Sequence, residues 1–177
     1  MKPAVFLDRD GVLTEERGYL KSAKEMAVYE YSRECVNNLH NAGYLAIVIT
    51  NQSGVARGYF TEDELAKMNA RLIDETGVDA VYYCPHHPDG KIEKFRKICS
   101  CRKPGVGLMK KACKDFDIDL LHSFLIGDRE CDIRTGQNAG IMTILVRTGY
   151  GSEEEKKNLK ADYIVDDLRF AVITIIE

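Results

Sequence analysis

The sequence has no apolar run that is long enough to cross a membrane. Its longest apolar stretches, at residues 44–49 and 170–176, are far shorter than the roughly 20 residues that span a bilayer. The first residues also lack the apolar segment and the small-residue cleavage site of a secretory signal. We therefore expect a cytoplasmic protein without a membrane partner.

A long block of basic residues is missing as well. The 25 lysines and arginines are mixed with 28 acidic residues, so that the formal net charge is only −3. Surfaces that bind nucleic acids or anionic membranes concentrate positive charge, and this composition therefore favours a small-molecule partner. A length of 177 residues is typical of one domain. We predict a single domain over residues 1–177 that acts as a monomer.

Short apolar runs alternate with segments of helical spacing along most of the chain. Continuous apolar character, typical of strands covered on both faces, predicts strands at residues 4–7, 45–49, 80–83, 124–126 and 142–146. Helical spacing and capping residues predict helices at residues 32–42, 61–77, 105–116 and 132–139, with a solvated turn or helix at 149–160. The alternation predicts an α/β fold, a doubly wound and mostly parallel sheet with helices on both faces.

Polar segments directly follow three of the predicted strands. They are Asp8-Arg9-Asp10-Gly11 after the first strand, Thr50-Asn51-Gln52-Ser53 after the second and Asp128-Arg129-Glu130-Cys131-Asp132 close after the fourth. Ligands bind outside the carboxyl ends of the strands in an open parallel sheet. These residues are therefore expected to line a site, together with Lys103, which follows a long loop after the third strand.

Asp8 and Asp10 are the candidate catalytic pair. They are two residues apart at the end of a strand, so we expect their carboxylates to project to the same side. Asp128 can approach them from another strand end and complete the oxygen-rich site that Mg²⁺ prefers. One carboxylate can then attack phosphorus while the other acts first as general acid and then as general base.

Thr50 and Lys103 are the candidate phosphate-binding residues. Phosphoryl transfer builds up negative charge on equatorial oxygens, which a fixed hydroxyl and an ammonium group can stabilise. Gly11 permits a tight turn and a close approach of the backbone to phosphate. An isolated Asp-x-Asp is more often a turn than a catalytic pair, and only the ordered set of four segments favours catalysis.

Two short pairs of metal-binding residues, Cys84-Pro85-His86 and Cys99-Ser100-Cys101, are separated by twelve residues. Three thiolates and one imidazole match the tetrahedral set of a structural Zn²⁺ site, which leaves no open position for catalysis. His87 is the alternative imidazole ligand, and a reduced cluster without metal is the other alternative. Among the remaining cysteines, Cys35 and Cys113 are expected in the core, and Cys131 is left undetermined.

The polar segments resemble the four motifs of the haloacid dehalogenase-like phosphatases, over residues 4–149. The resemblance implies a Rossmann-type fold of that superfamily and an aspartyl-phosphate intermediate on Asp8. It also implies that Asp10 protonates the leaving oxygen and then activates water.

The same resemblance implies which residues bind the magnesium ion and which bind the phosphoryl group. Mg²⁺ would be held by Asp8, the main-chain carbonyl of Asp10, and Asp128. The transferring phosphoryl group would be bound by Thr50 and Lys103. Asp132 would orient Lys103.

The cysteine segments resemble the zinc-bearing branch of this family, which contains heptose-bisphosphate and histidinol-phosphate phosphatases. The heptose group is favoured by the spacer and by the segments Gly54-Val55-Ala56-Arg57-Gly58, Tyr83-Cys84-Pro85-His86-His87-Pro88 and Val146-Arg147-Thr148-Gly149. This implies hydrolysis of the C7 phosphate of D-glycero-D-manno-heptose 1,7-bisphosphate. The alternatives are a phosphatase for histidinol phosphate or another small sugar phosphate, and a zinc-stapled module that binds metal and phosphate without catalysis.

No long insertion is present to form a separate cap domain, so loops must shield the site, namely residues 15–24 and the zinc loop, residues 84–101. The resemblance places nine residues around the substrate: Glu16, Arg17, Gly18, Tyr19, Asn51, Gln52, Ser53, Arg102 and Arg129. A surface charge is the alternative interpretation of Arg102. Arg129 stands where the heptose enzymes carry lysine, which keeps the charge but changes the hydrogen-bond geometry.

Overall fold

A six-stranded parallel sheet forms the centre of the computed structural model, which describes residues 1–177. Its strands are β1 (Ala4–Leu7), β2 (Leu45–Asn51), β3 (Ala80–Cys84), β4 (Phe124–Gly127), β5 (Met142–Val146) and β6 (Tyr163–Val165). Their order across the sheet is β3-β2-β1-β4-β5-β6. The chain therefore winds outward from β1 in one direction and from β4 in the other, which leaves a crevice where these two strands meet.

Seven α-helices accompany the sheet. They are α1 (Ser32–Asn41), α2 (Gly54–Arg57), α3 (Glu62–Thr76), α4 (Gly107–Asp115), α5 (Glu130–Ala139), α6 (Gly151–Lys156) and α7 (Leu168–Ile176). None of them is both long and apolar enough to cross a bilayer.

The strands bury side chains on both faces of the sheet. Val5 and Leu7 belong to one apolar cluster, with residues of α1, α3 and α7, whereas Ala4 and Phe6 belong to a second cluster with residues of α4. Alternate residues of a strand point to opposite faces, so this division is what a sheet covered on both sides requires. The predicted doubly wound α/β fold is confirmed.

The predicted elements agree with the observed ones to within two residues at most ends. Thr61 caps α3 as expected, since its hydroxyl accepts a hydrogen bond from the backbone N–H of Glu64 at 3.2 Å. Helix α5 begins at Glu130 rather than at Asp132, which lies in its first turn. Strand β6 and helices α2 and α7 were not predicted. The apolar run within α7 shows no clear polar face, because Leu168, Ala171, Val172 and Ile175 are buried while further apolar residues are exposed.

The start of α7 provides a test of this unexpected element. Asp167 accepts a hydrogen bond from the backbone N–H of Arg169 at 2.8 Å and is 7% exposed. We expect Asp167→Ala to lower the free energy of unfolding by about 1 kcal/mol, the usual effect of losing an N-cap. Urea denaturation measures this change. Asp166→Ala is the matched control, because it removes only an exposed ion pair with Arg147, and an equal loss in both variants would contradict the capping role.

Candidate active site

A cleft of about 390 Å³ opens at the carboxyl ends of the central strands. The register pairs Leu7 of β1 with Ile126 of β4, so the segments that follow these strands start side by side. All four residues that were predicted to be catalytic line the cleft: Asp8, Asp10, Thr50 and Lys103.

Lys103 is buried at the base of this cleft, with a side chain that is 1% exposed. Its ammonium group lies 3.0 Å from Asp8 Oδ1 and 2.5 Å from Asp132 Oδ1, and it donates to the carbonyl of Ile49 at 2.9 Å. These contacts occupy the three N–H groups of an ammonium. Burial by itself would lower the pKa of Lys103, but the carboxylates of Asp132 and Asp8 outweigh it and raise that pKa above its ordinary value. Lys103 is therefore a fixed positive charge.

Asp128 is fully buried beside this group. Its Oδ2 accepts a hydrogen bond from the backbone N–H of Tyr150 at 2.8 Å, but its Oδ1 has no partner. Burial raises the pKa of Asp128 to about 8, with further contributions from the carboxylates of Asp8 and Asp132. Oxygen atoms of these three carboxylates lie within 4.8 Å of one another. An unpartnered carboxylate oxygen in such a cluster fits a divalent cation with oxygen ligands.

Two glycines allow the backbone to pack against Asp128. Gly11 and Gly149 have φ angles of +84° and +59°, and a Cβ atom on either would collide with the Asp128 carboxylate. The need for Gly11 was expected from the turn after β1. The role of Gly149 was not, because nothing in its local sequence indicates contact with a residue 21 positions away.

Asp10 lies in the same cleft but outside the carboxylate cluster. Its Oδ2 accepts from Arg9 Nη2 at 2.9 Å and from Gln52 Nε2 at 2.9 Å, while Thr14 Oγ1 lies 3.2 Å from Oδ1. Asp8 and Asp10 therefore line the same cleft, while Asp132 rather than Asp10 supplies the third carboxylate of the cluster. Neither Arg9 nor Thr14 was predicted from the sequence to act in the site.

Asn51 and Ser53 have different surroundings at the end of β2. The Asn51 amide exchanges two hydrogen bonds with the main chain of Lys103, at 3.0 and 3.2 Å, and so holds the backbone that carries the lysine. Ser53 Oγ lies 3.5 Å from the hydroxyl of Tyr19, at the limit of a hydrogen bond. Both residues line the cleft.

The loop at residues 15–24 supplies part of the cleft wall, as expected. Glu16, Gly18 and Tyr19 line the cleft. Arg17, which was also predicted to contact the substrate, does not line the cleft, and its guanidinium pairs with Glu15 at 2.7 Å.

Arginines surround the mouth of the cleft. Arg129 pairs with Glu16 at 3.1 Å and stacks over the ring of Tyr150, 3.8 Å from its centroid. Arg102 donates to the carbonyl of His86 at 3.3 Å. Arg57 also lines the cleft. These groups give the mouth a positive charge that an anionic ligand can use.

His87 is the neighbour of Arg57 at this mouth. The Arg57 Nη2 and His87 Nε2 atoms are 3.1 Å apart. Burial lowers the pKa of His87, and the charges of Arg102 and Arg57 lower it further. The imidazole is therefore neutral near pH 7 and adds a polar group, rather than a charge, to the cleft wall.

The zinc loop brings Cys84, His86, Cys99 and Cys101 together. The three Sγ atoms are 3.1 to 3.5 Å apart, far beyond the roughly 2.0 Å of a disulfide. Ligand sulfurs about 2.3 Å from a tetrahedral Zn²⁺ would lie about 3.8 Å apart, so this cluster needs little expansion to fit the ion. Of the two candidate histidines, His86 has its Nδ1 in the cluster, 3.4 Å from Cys101 Sγ.

The other three cysteines occupy separate environments. Cys35 is buried in the larger apolar cluster and Cys113 packs against the smaller one, as expected. Cys131 lines the cleft, where burial raises its pKa to about 12. A thiol with such a pKa stays protonated near neutral pH and is a poor nucleophile.

Comparisons with known proteins place this geometry in a family. Residues 100–171 match the family model for HAD-hydrolase-like proteins. The D-glycero-beta-D-manno-heptose-1,7-bisphosphate 7-phosphatase of Haemophilus ducreyi is 40% identical over 174 residues, which cover 94% of this chain and 94% of that protein. The D-glycero-alpha-D-manno-heptose-1,7-bisphosphate 7-phosphatase of Photorhabdus laumondii is 38% identical and covers 97% of this chain and 95% of its own length.

A solved structure shares the fold over the same extent. The D,D-heptose 1,7-bisphosphate phosphatase from B. bronchiseptica, complexed with magnesium and phosphate, superposes with a TM-score of 0.83 at 30% identity. The superposition covers 98% of each chain.

The cysteine cluster leads to a prediction about metal content. We expect Cys99→Ser to lose about one equivalent of Zn²⁺ and to unfold at a lower temperature, because three ligands hold the ion less well than four. Elemental analysis and thermal unfolding of protein purified without chelators measure both effects. Cys113→Ser is the control, since Cys113 lies outside the cluster. Wild-type protein that contains no zinc would contradict the prediction.

Proposed function

The chain belongs to the haloacid dehalogenase-like hydrolases, in the group of the heptose bisphosphate phosphatases, and we propose that it hydrolyses the C7 phosphate of D-glycero-D-manno-heptose 1,7-bisphosphate. The observation that carries the proposal is the agreement of fold and sequence with such enzymes over almost the whole chain. We further propose one phosphatase domain that acts as a monomer in the cytoplasm. The relatives include enzymes named for both anomers of the substrate, so the proposal concerns the reaction at C7.

Asp8 is the nucleophile in this proposal. Its Oδ1 accepts from the backbone N–H of Arg9 at 2.7 Å and lies 3.0 Å from the Lys103 ammonium, which leaves Oδ2 for attack on phosphorus. The new Oδ2–P bond forms as the bond from phosphorus to the sugar oxygen breaks. Asp10 gives its proton to that oxygen, and in the second step it takes a proton from the water that releases phosphate from Asp8.

The residues around Asp8 stabilise the charge that develops in both steps. We assign the transferring phosphoryl group to the Thr50 hydroxyl, which has a hydrogen to donate, and to the positive charge of the Lys103 ammonium beside the nucleophile. Asp8, the main-chain carbonyl of Asp10, and Asp128 are the ligands for catalytic Mg²⁺. When bound, that ion neutralises the buried carboxylates and polarises a phosphoryl oxygen.

The zinc cluster has a structural role in this proposal. Its four ligands leave no position for substrate. Cys101 directly precedes Arg102 and Lys103 in the sequence, so a metal that anchors Cys101 also fixes the backbone of a residue at the cleft mouth and of one at its base.

The second phosphate of the substrate is assigned to the arginines of the cleft mouth. A bisphosphate carries a dianion far from the bond that breaks, and contacts there can position the reacting end. Arg102 and Arg57 line the cleft, and neither of them forms a salt bridge with an acidic residue. Histidinol phosphate carries a cation in place of this dianion, so the two arginines would add no binding energy for it.

The nucleophile assignment predicts the behaviour of an isosteric variant. We expect Asp8→Asn to keep the fold and lose at least about 99% of the turnover, because an amide attacks phosphorus poorly and cannot replace the carboxylate toward Mg²⁺. Phosphate release with Mg²⁺ present measures the rate, and circular dichroism checks the fold. Asp89→Asn, on an exposed loop, controls for a surface change of the same type. Retention of a tenth of the wild-type rate would refute the assignment.

The substrate assignment predicts a preference. We expect kcat/KM for the heptose 1,7-bisphosphate, tested as both anomers, to exceed that for histidinol phosphate at least tenfold, or by about 1.4 kcal/mol in transition-state binding. Arg102→Ala should reduce this gap by weakening the bisphosphate reaction, and heptose 7-phosphate should be insensitive to the substitution.

The control for that experiment is Arg96→Ala, which removes the same charge from an exposed position of the zinc loop that does not line the cleft. A wild-type preference for histidinol phosphate would overturn the substrate assignment. An equal decrease of kcat/KM for the bisphosphate and for the 7-phosphate in Arg102→Ala would contradict the assignment of Arg102 to the second phosphate.

A further inference from the structure

Arg9, which separates the two catalytic carboxylates in the sequence, is one of the most deeply buried charged residues of the molecule. Its side chain is 2% exposed. Nε donates to Asp10 Oδ1 at 3.0 Å and Nη2 donates to Asp10 Oδ2 at 2.9 Å, so the guanidinium holds the carboxylate through both oxygens. A buried guanidinium without such a partner would be strongly unfavourable, and Asp10 supplies that partner in this structure.

Gln52 completes this arrangement from the end of β2. Its Oε1 accepts from Arg9 Nη2 at 3.0 Å. Because arginine can only donate, the amide oxygen must face Arg9, and this requirement settles the orientation of the whole amide. The amide nitrogen then faces two acceptors, Asp10 Oδ2 at 2.9 Å and Thr50 Oγ1 at 3.0 Å. Gln52 is 4% exposed, so little of it is left to contact a substrate.

The contact with Thr50 determines what the hydroxyl can do. A hydroxyl has one hydrogen to donate and two lone pairs that accept. The Gln52 amide nitrogen occupies an accepting direction of Thr50 Oγ1, which leaves the hydroxyl hydrogen for a phosphoryl oxygen in the cleft. One amide group thus touches both the general acid–base residue and the hydroxyl that would bind the phosphoryl group.

We propose that Gln52, oriented by Arg9, is a positioning residue that aligns the Asp10 carboxylate and the Thr50 hydroxyl for phosphoryl transfer. This inference rests on the phosphatase reaction proposed above. It replaces the expected role of Gln52 as a direct substrate contact. The two contacts of the amide have different consequences for catalysis, and this difference makes the inference testable.

The Asp10 contact matters only where the leaving oxygen needs a proton. An alkyl phosphate leaves as a strongly basic alkoxide and depends on the general acid, whereas 4-nitrophenyl phosphate has a good leaving group and depends on it much less. The Thr50 contact, in contrast, acts on the phosphoryl group and affects both esters alike. Misplacement of Asp10 should therefore appear as a change in the ratio of the two rates.

The experiment compares kcat/KM for two esters in wild-type and Gln52→Leu protein. Glycerol phosphate serves as the alkyl ester and 4-nitrophenyl phosphate as the aryl ester, and kcat/KM reports the steps up to departure of the leaving group. Leucine removes the amide donor at similar volume. We expect the alkyl ester to lose at least about tenfold more than the aryl ester, a part of the roughly 10²–10⁴-fold that a general acid contributes.

Two further variants separate positioning from general disturbance. Gln52→Glu keeps an oxygen for Arg9 but has no donor for Asp10 or Thr50, and we expect it to change the ratio at least as much as leucine does. Val55→Ala makes a cavity in the helix that follows this loop, where Val55 is 2% exposed. Its side chain has no hydrogen-bonding group, and we expect the wild-type ratio. Thermal unfolding of each variant shows whether losses of stability are comparable.

The possible outcomes are distinct. An equal loss with both esters, or no loss, would overturn the positioning role, and so would a Gln52→Glu variant with the wild-type ratio. A wild-type protein that hydrolyses neither ester nor any heptose phosphate would refute the proposed function and this inference together. Turnover of the simple esters without turnover of the heptose bisphosphate would refute only the assigned substrate.

Discussion

The buried ammonium of Lys103 is the charge on which the whole site depends. It bridges Asp8 and Asp132, which belong to segments more than 120 residues apart in sequence, and its third hydrogen bond goes to the backbone of β2. A third carboxylate, that of Asp128, nevertheless belongs to the same cluster, and it keeps an oxygen without a partner. The protein therefore buries more carboxyl groups than its own cations balance, which raises the pKa of Asp128 to about 8 and favours a divalent cation that stabilises the ionised form of this carboxyl group.

The topology of the sheet brings these groups together through short connections. Because β1 and β4 are neighbours at the point where the winding changes direction, the residues after both strands meet without long connections. Close packing then requires that the backbone itself makes room, as Gly11 and Gly149 do around Asp128. The same strand end that carries Thr50 continues into Asn51 and Gln52, one of which holds the Lys103 backbone and the other Asp10. The segment after β2 thus supports both sides of the cleft.

Much of this arrangement could be predicted from local sequence, and the limits of that prediction have a physical cause. Strands with continuous apolar residues and a capped helix such as α3 carry their signals within a few residues. The pairing of Arg129 with Glu16 joins residues 113 positions apart and leaves no local trace. Ser32 has a misleading local signal. It stands at the start of a predicted helix, where serine often caps the helix, but its hydroxyl donates to the distant carbonyl of Leu13 instead. The contact of Arg9 with Asp10 is local, yet the sequence alone did not show that its side chain is buried.

The bottom of the cleft, around Asp8, and the mouth of the cleft are built from different kinds of structural elements. Asp8, Thr50 and Asp128 stand at the ends of strands, whereas Arg57 and His87 stand on a short helix and a loop. Substitution at the mouth can therefore change the preferred substrate while the reaction at phosphorus is kept. Arg102 and Lys103 are the exception, because adjacent residues serve both regions. Their shared backbone follows Cys101 of the cysteine cluster, so the conformation of this loop links the proposed site of the second phosphate to the charge beside the proposed nucleophile.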